Sequence, residues 1–241
     1  MKFVRLLILC LLFVELGYSQ FTEIDCNLTQ AFISQKMGTF NIYIKQLDDE
    51  LAKKYSADLQ FKRMKVTHFY IAYLFAHDGD SDEIERQITA LEKDLIALEQ
   101  SSFYAQKCLG FRAAFSAYEA LQSPLTAIYY LPKSFSLAKD AIKSQPTSPY
   151  SWAEYGNLEY CYSLYFGGDY KEAINAFAKA ITIFEKQGLA NPCNWYYINT
   201  LLFLAKSYED NKQLAEANTV YDKMLRLTPG FTAINRWKHN Y

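Results

Sequence analysis

Glycine and proline are scarce in this chain, at 9 and 6 of 241 residues. That leaves little turn-forming material for a run of short strands or for a low-complexity linker. Histidine is scarcer still. His68, His77 and His239 are the whole set, and none stands four residues from another metal-ligating side chain, so no metal and no cofactor are expected. There is no Gly-x-Ser-x-Gly, and no Gly-Lys-Ser/Thr follows the Gly167-Gly168 pair, which removes the local signatures of a serine hydrolase and of a phosphate loop. Three histidines leave few ways to assemble a catalytic triad in space, so the chain is not expected to be an enzyme. Basic charge is not in excess either: the formal net charge is −1 with no basic block, and nucleic acid is not expected as a partner.

Long hydrophobic runs are absent after the first residues. At the start, Lys2 and Arg5 precede an unbroken apolar stretch from Leu6 to Val14, and Gly17-Tyr18-Ser19 supplies small residues at −3 and −1. This is the layout of a secretory signal peptide over 1–19, cut before Gln20. The stretch is too short to span a bilayer, and no membrane span is expected after cleavage. The protein is therefore read as exported, with periplasm and extracellular space left open. Loss of 1–19 leaves 23 basic and 25 acidic residues, a net charge of −2. Four cysteines remain, Cys26, Cys108, Cys161 and Cys193, in a wide and irregular spacing unlike a disulfide scaffold or a metal cluster. Cys161 falls where a helical hairpin wants a small buried side chain, so a buried free thiol is expected there. A Cys161–Cys193 bridge is the alternative.

What the chain does contain is aromatic and helical. It has 20 Tyr and 17 Phe in a composition that is 51% hydrophobic and 21% charged. Apolar residues recur at three- and four-residue steps along most of its length, and no stretch shows sustained alternation, so the fold is expected to be all-α. The spacing predicts one helix from Asn27 to about Lys54 with Gly38 as its weak point, a second over 57–76, and a third beginning after His77-Asp78-Gly79-Asp80 with Ser81 or Asp82 as its cap. The carboxylates of 78–83 lack Gly at the sixth and Glu at the twelfth position of a calcium loop, so a helix-end turn is preferred. A fourth helix runs from Ser102 to about Leu121. Pro124 is expected to break it, with a short turn over 125–131 and a new helix opening at Pro132. Further helices are expected at about 150–165, 169–187, 194–210 and 212–227, closing at Thr228-Pro229-Gly230.

Phe166-Gly167-Gly168-Asp169 organises the pattern as the turn of a helical hairpin. The glycines are expected to hold φ > 0 and Asp169 to cap the second helix. Ala173, Phe177 and Ala180 follow on that helix. The next hairpin repeats the layout with Ala205, then Ala217 and Tyr221, then Pro229, matching the helix–turn–helix unit of tetratricopeptide repeats. Corresponding positions lie 47, 39 and 44 residues apart in successive units. The expectation is a tetratricopeptide-like solenoid with irregular, extended repeats: an N-terminal helical cap over 20–56, degenerate hairpins over 57–146, two closer matches over 147–230 and a tail over 231–241.

The run from Pro146 to Pro149, the Phe-Gly-Gly-Asp turn at 166–169, Asn194-Trp195 and a closing unit ending in Pro229 together resemble a family of exported bacterial tetratricopeptide proteins, mostly of unassigned function. The resemblance covers about 100–232. Tyr196 departs from it, standing where the family layout has Gly after Trp195. The family supplies no catalytic residues. Phasing on Ala173 and Ala217 directs Tyr155, Tyr162, Tyr165, Asn199, Lys206 and Glu209 to the inner surface, where polar-tipped aromatics suit contact with a protein or peptide. The function expected is a non-catalytic scaffold. The alternative is a periplasmic small-ligand carrier or transport-accessory protein with an aromatic-lined cavity, and the oligomeric state is left open.

Overall fold

A computed structural model describes residues 22–238; the signal-peptide reading of 1–19 and His239 lie outside these. The described residues form α1 (Glu23–Ile33), a 3-10 turn (Met37–Thr39), α2 (Phe40–Lys53), α3 (Ala57–Ala76), α4 (Ser81–Glu99), α5 (Ser102–Gln122), α6 (Pro124–Ser144), α7 (Pro149–Phe166), α8 (Lys171–Lys186), α9 (Trp195–Asp210), α10 (Leu214–Leu227) and α11 (Ile234–Trp237), with no strand among them. From α3 to α10 each helix packs on the next in chain order. Helices two apart also touch along α3, α5, α7 and α9, which form one continuous row. At the other end of the chain's path, α1 packs on α9 and α2 on α3.

Small side chains set the closest approaches. Ala173, Phe177, Ala180, Ala205, Ala217 and Tyr221 are all buried, and Trp195 joins them. A Cβ placed on Gly156 of α7 would stand 2.8 Å from the Phe177 ring of α8, and one on Gly110 of α5 would stand 3.0 Å from the Ser151 Cα of α7. At Gly156 something would have to shift to admit a Cβ, and at Gly110 the α7 backbone would have to give by a few tenths of an ångström. Pro229, just past α10, is exposed. Residues 231–237 are not a loose tail: Phe231 and Ile234 are buried, and the Phe231 ring meets that of Phe32 in α1 at 5.7 Å.

Several expectations are corrected. The single helix over 27–54 is two, starting earlier, at Glu23. Gln35 turns left-handed at φ 57°, and the Lys36 N–H reaches back to the Ala31 carbonyl at 2.8 Å, which terminates α1 before Gly38. Pro124 and Pro132 do not delimit a short turn. Pro124 occupies the first turn of α6, where its missing N–H costs nothing, and α6 runs on through Pro132. The Ile128 carbonyl loses its helical donor there, on a residue that is itself exposed. The cap of α4 is Asp80, not Ser81 or Asp82; its side chain accepts from the Glu83 N–H at 2.9 Å.

The turn before α8 has the positive φ values expected, 79° at Gly167 and 136° at Gly168. Asp169 stands one residue further out than expected, because Tyr170 is the N-cap; its carboxylate still accepts from the Lys171 N–H at 3.2 Å. Cys161 is exposed, not buried. Cys193 is bridged to Cys26, not to Cys161, and Cys108 is a buried free thiol.

Candidate functional site

The six residues expected on an inner surface do not form one site. Tyr155 is 7% exposed and Asn199 8%. Both lie in the body of their helices, where neighbours on either side cover them; Tyr155 meets Trp152 edge-on at 6.5 Å. Lys206 and Glu209 form a loose pair at 3.9 Å, and the Lys206 ammonium lies 5.2 Å from the centre of the Trp237 ring. Tyr162 and Tyr165 are exposed, the latter at 72%. Tyr155 and Tyr162 are seven residues apart and share a helix face, so what separates them is position along α7.

The end of α7 is uncovered because the helices differ in length. The rings of Phe135 in α6 and Tyr162 in α7 meet at 5.6 Å. From that contact α7 runs on only to Phe166, whereas antiparallel α6 runs back to Pro124. The α5–α6 tip therefore stands roughly 10 Å beyond the α7–α8 turn, at 1.5 Å per residue. Leu121, Leu125, Ile128 and Tyr129 are exposed on the tip, with Leu125 at 85%, and Tyr162, Leu164, Tyr165 and Phe166 are exposed at the end of α7. The signal in sequence was an apolar run between two prolines, which is more readily read as a turn than as an exposed helix face.

The middle of the α3–α5–α7–α9 row is closed by a polar network with one side chain from each helix. The His68 Nε2 is 3.2 Å from Glu154 Oε1. The Tyr196 hydroxyl donates to the same carboxylate. The Tyr118 hydroxyl lies 2.9 Å from both His68 Nδ1 and the His68 carbonyl. All four residues are buried. Burial, and then the Glu154 charge, hold the Tyr118 and Tyr196 hydroxyls well above the usual tyrosine range, so both stay protonated as donors. A histidine beside a carboxylate is a pairing used in catalysis, yet here both groups lie inside the row, where their polar atoms hold the four helices in register. No spacing rule finds this set, since its members come from four helices and are brought together only by the stacking. Tyr196, which broke the expected Trp-Gly layout, is one of them.

A second polar cluster lines an open cleft of about 620 Å³ between α2, α3 and α4. Arg63 bonds Asp48 through Nε at 2.5 Å and Asp94 through Nη1, and the Gln60 amide also donates to Asp94 at 2.5 Å. Asp82, Glu85, Arg86 and Lys93 stand around it. This lining is charged, so it does not suit an apolar cargo. Among the described residues no group of three or more His, Cys, Asp or Glu side chains is placed to hold a metal ion, and no helix is long and apolar enough to cross a membrane. Comparisons with protein-family models, with curated proteins and with solved structures return no match.

Proposed function

We propose that this chain is an exported, non-catalytic interaction protein of the tetratricopeptide type, and that it binds a protein or peptide through the apolar end formed by the α5–α6 tip and the last turn of α7. The carrying observation is the set of eight large apolar side chains exposed there. A typical monomer's largest apolar patch is about 300–600 Å². Eight large apolar side chains at one end of the molecule are more than the singly scattered apolar residues that a monomer ordinarily shows. Four of the eight are aromatic, and Tyr129, Tyr162 and Tyr165 carry polar tips, the composition favoured at interface centres.

The tetratricopeptide reading is supported by hairpins in chain order and by small residues at helix contacts. Export is supported by the Cys26–Cys193 bridge, since disulfides persist in oxidising compartments. The expected inner groove gives way to the hairpin ends, because Tyr155 and Asn199 are buried and the row's middle is filled by its own side chains. The test is cross-linking capture from the exporting cell with wild type and a Leu125→Asp/Ile128→Asp/Tyr165→Ala variant of unchanged circular dichroism. A partner captured by wild type and lost with the variant is the expected result. Equal capture by both would remove the site from this end.

A further inference from the structure

The opposite ends of α3, α5 and α7 carry a feature that the apolar end does not explain. Two lysines stand there among aromatic rings. The Lys65 ammonium is 5.2 Å from the centre of the Phe61 ring and 4.9 Å from that of Tyr150, with the Tyr150 hydroxyl at 3.3 Å. The Lys107 ammonium is 3.9 Å from the Phe103 ring centre and 5.7 Å from that of Phe61. One ring, Phe61, thus serves both cations. Neither ammonium has a carboxylate within 4.0 Å among the described residues. The nearby carboxylate, Asp58, takes the Tyr104 hydroxyl as its donor.

We propose that this aromatic-walled lysine pair is a binding site for a monocarboxylate carried on an aromatic or other flat apolar body. Ring faces attract a cation only weakly at exposed sites, so they leave room for a carboxylate to pair directly with either ammonium. Burial is the main influence on the Lys107 ammonium and lowers its pKa from the ordinary lysine value; the Asp58 charge works against this, and the Lys65 charge adds a smaller lowering. With Asp58 counted, the cluster carries one net positive charge, which matches one carboxylate and not a doubly charged phosphate. Phe103, exposed at 60%, offers ring surface beside the Lys107 ammonium for a flat ligand body.

The test is a titration of the purified protein, followed by NMR shifts of the Lys65 and Lys107 side chains, with phenylacetate as the probe. Neutral 2-phenylethanol and inorganic phosphate are the comparison ligands. Phenylacetate is expected to saturate at millimolar concentration, with 2-phenylethanol and phosphate each weaker by about tenfold or more. Lys65→Gln/Lys107→Gln is expected to lose about tenfold in affinity or more, with an unchanged melting temperature as the check on folding. Should the double variant not fold, Lys107→Arg is expected to keep binding and Lys107→Met to lose it. Failure of phenylacetate to saturate, equal binding of 2-phenylethanol, or unchanged affinity in the folded lysine variants would overturn the site. Phosphate binding as tightly as phenylacetate would overturn the carboxylate assignment.

Discussion

Asp94 shows how a buried charge is tolerated at one residue and what it costs. Its carboxylate is almost fully covered, and burial raises its pKa to about 6, although the Arg63 guanidinium and the Gln60 amide pull it down. The folded value lies above the ordinary 3.8, so between the two the folded chain binds more proton than the unfolded one. The contribution of this group to stability is therefore fully present below about pH 4 and is lost as pH rises through about 6, by on the order of 3 kcal/mol at most. Carboxyl-carbon NMR is expected to give an Asp94 midpoint near 6. Thermal melts of Asp94→Asn are expected to lack that part of the wild-type slope, since an amide does not titrate. A midpoint near 4 with parallel pH profiles would mean that Arg63 compensates fully for the burial.

At the scale of helices, Gly156 and Phe177 show the physical content of the repeat pattern. Phe177 and its small neighbours Ala173 and Ala180 were legible because they recur at helical spacing behind a glycine turn. Gly156 was not, because a glycine inside a helix carries no periodic signal and its reason is the ring packed 2.8 Å from where its Cβ would stand. Alanine at 156 would gain up to about 1 kcal/mol of helix propensity, yet the Phe177 ring is wholly buried and has nowhere to move. Overpacking of this kind costs about 1–3 kcal/mol. Gly156→Ala is thus expected to lower the denaturation midpoint, and Phe177→Leu in the same chain to restore part of it, a coupling that a double-mutant cycle reads directly. The same limit applies to the candidate sites. Phasing finds a helix face but not where along the helix cover ends, so it points alike to Tyr162 and Tyr165, which are exposed, and to Tyr155 and Asn199, which are buried. The α6 face was hidden by Pro132, which usually ends a helix but here sits on an exposed side where the lost bond matters little. The His68–Glu154 network and the lysine pair join residues from three or four helices and leave no mark in local sequence.

Across the whole molecule the decisive contact is the one that brings the start of the described chain against its last third. Cys26 in α1 is bonded to Cys193 ahead of α9, at a sequence separation of 167. Around that tie, Phe40 meets Phe69 and Trp195, Phe32 meets Phe69 and Phe231, and Lys62 bonds Asp25 at 2.6 Å. A stack of hairpins held only by neighbour contacts unravels from its ends, and α1 and α2 would be such an end. A bond between α1 and the loop before α9 makes opening there subject to a closed loop spanning most of the chain, and native disulfides of this kind contribute about 2–5 kcal/mol. Cys26→Ser/Cys193→Ser is expected to fold, because the aromatic contacts and the Lys62–Asp25 pair remain, but to melt lower by several degrees. Amide exchange over 23–53 is expected to speed up more than exchange in α7 and α8, since the freed segment then opens without the rest of the stack. Equal acceleration everywhere would show that the tie stabilises the molecule as one cooperative unit, and an unchanged melting temperature would show that the aromatic contacts alone hold the two regions together.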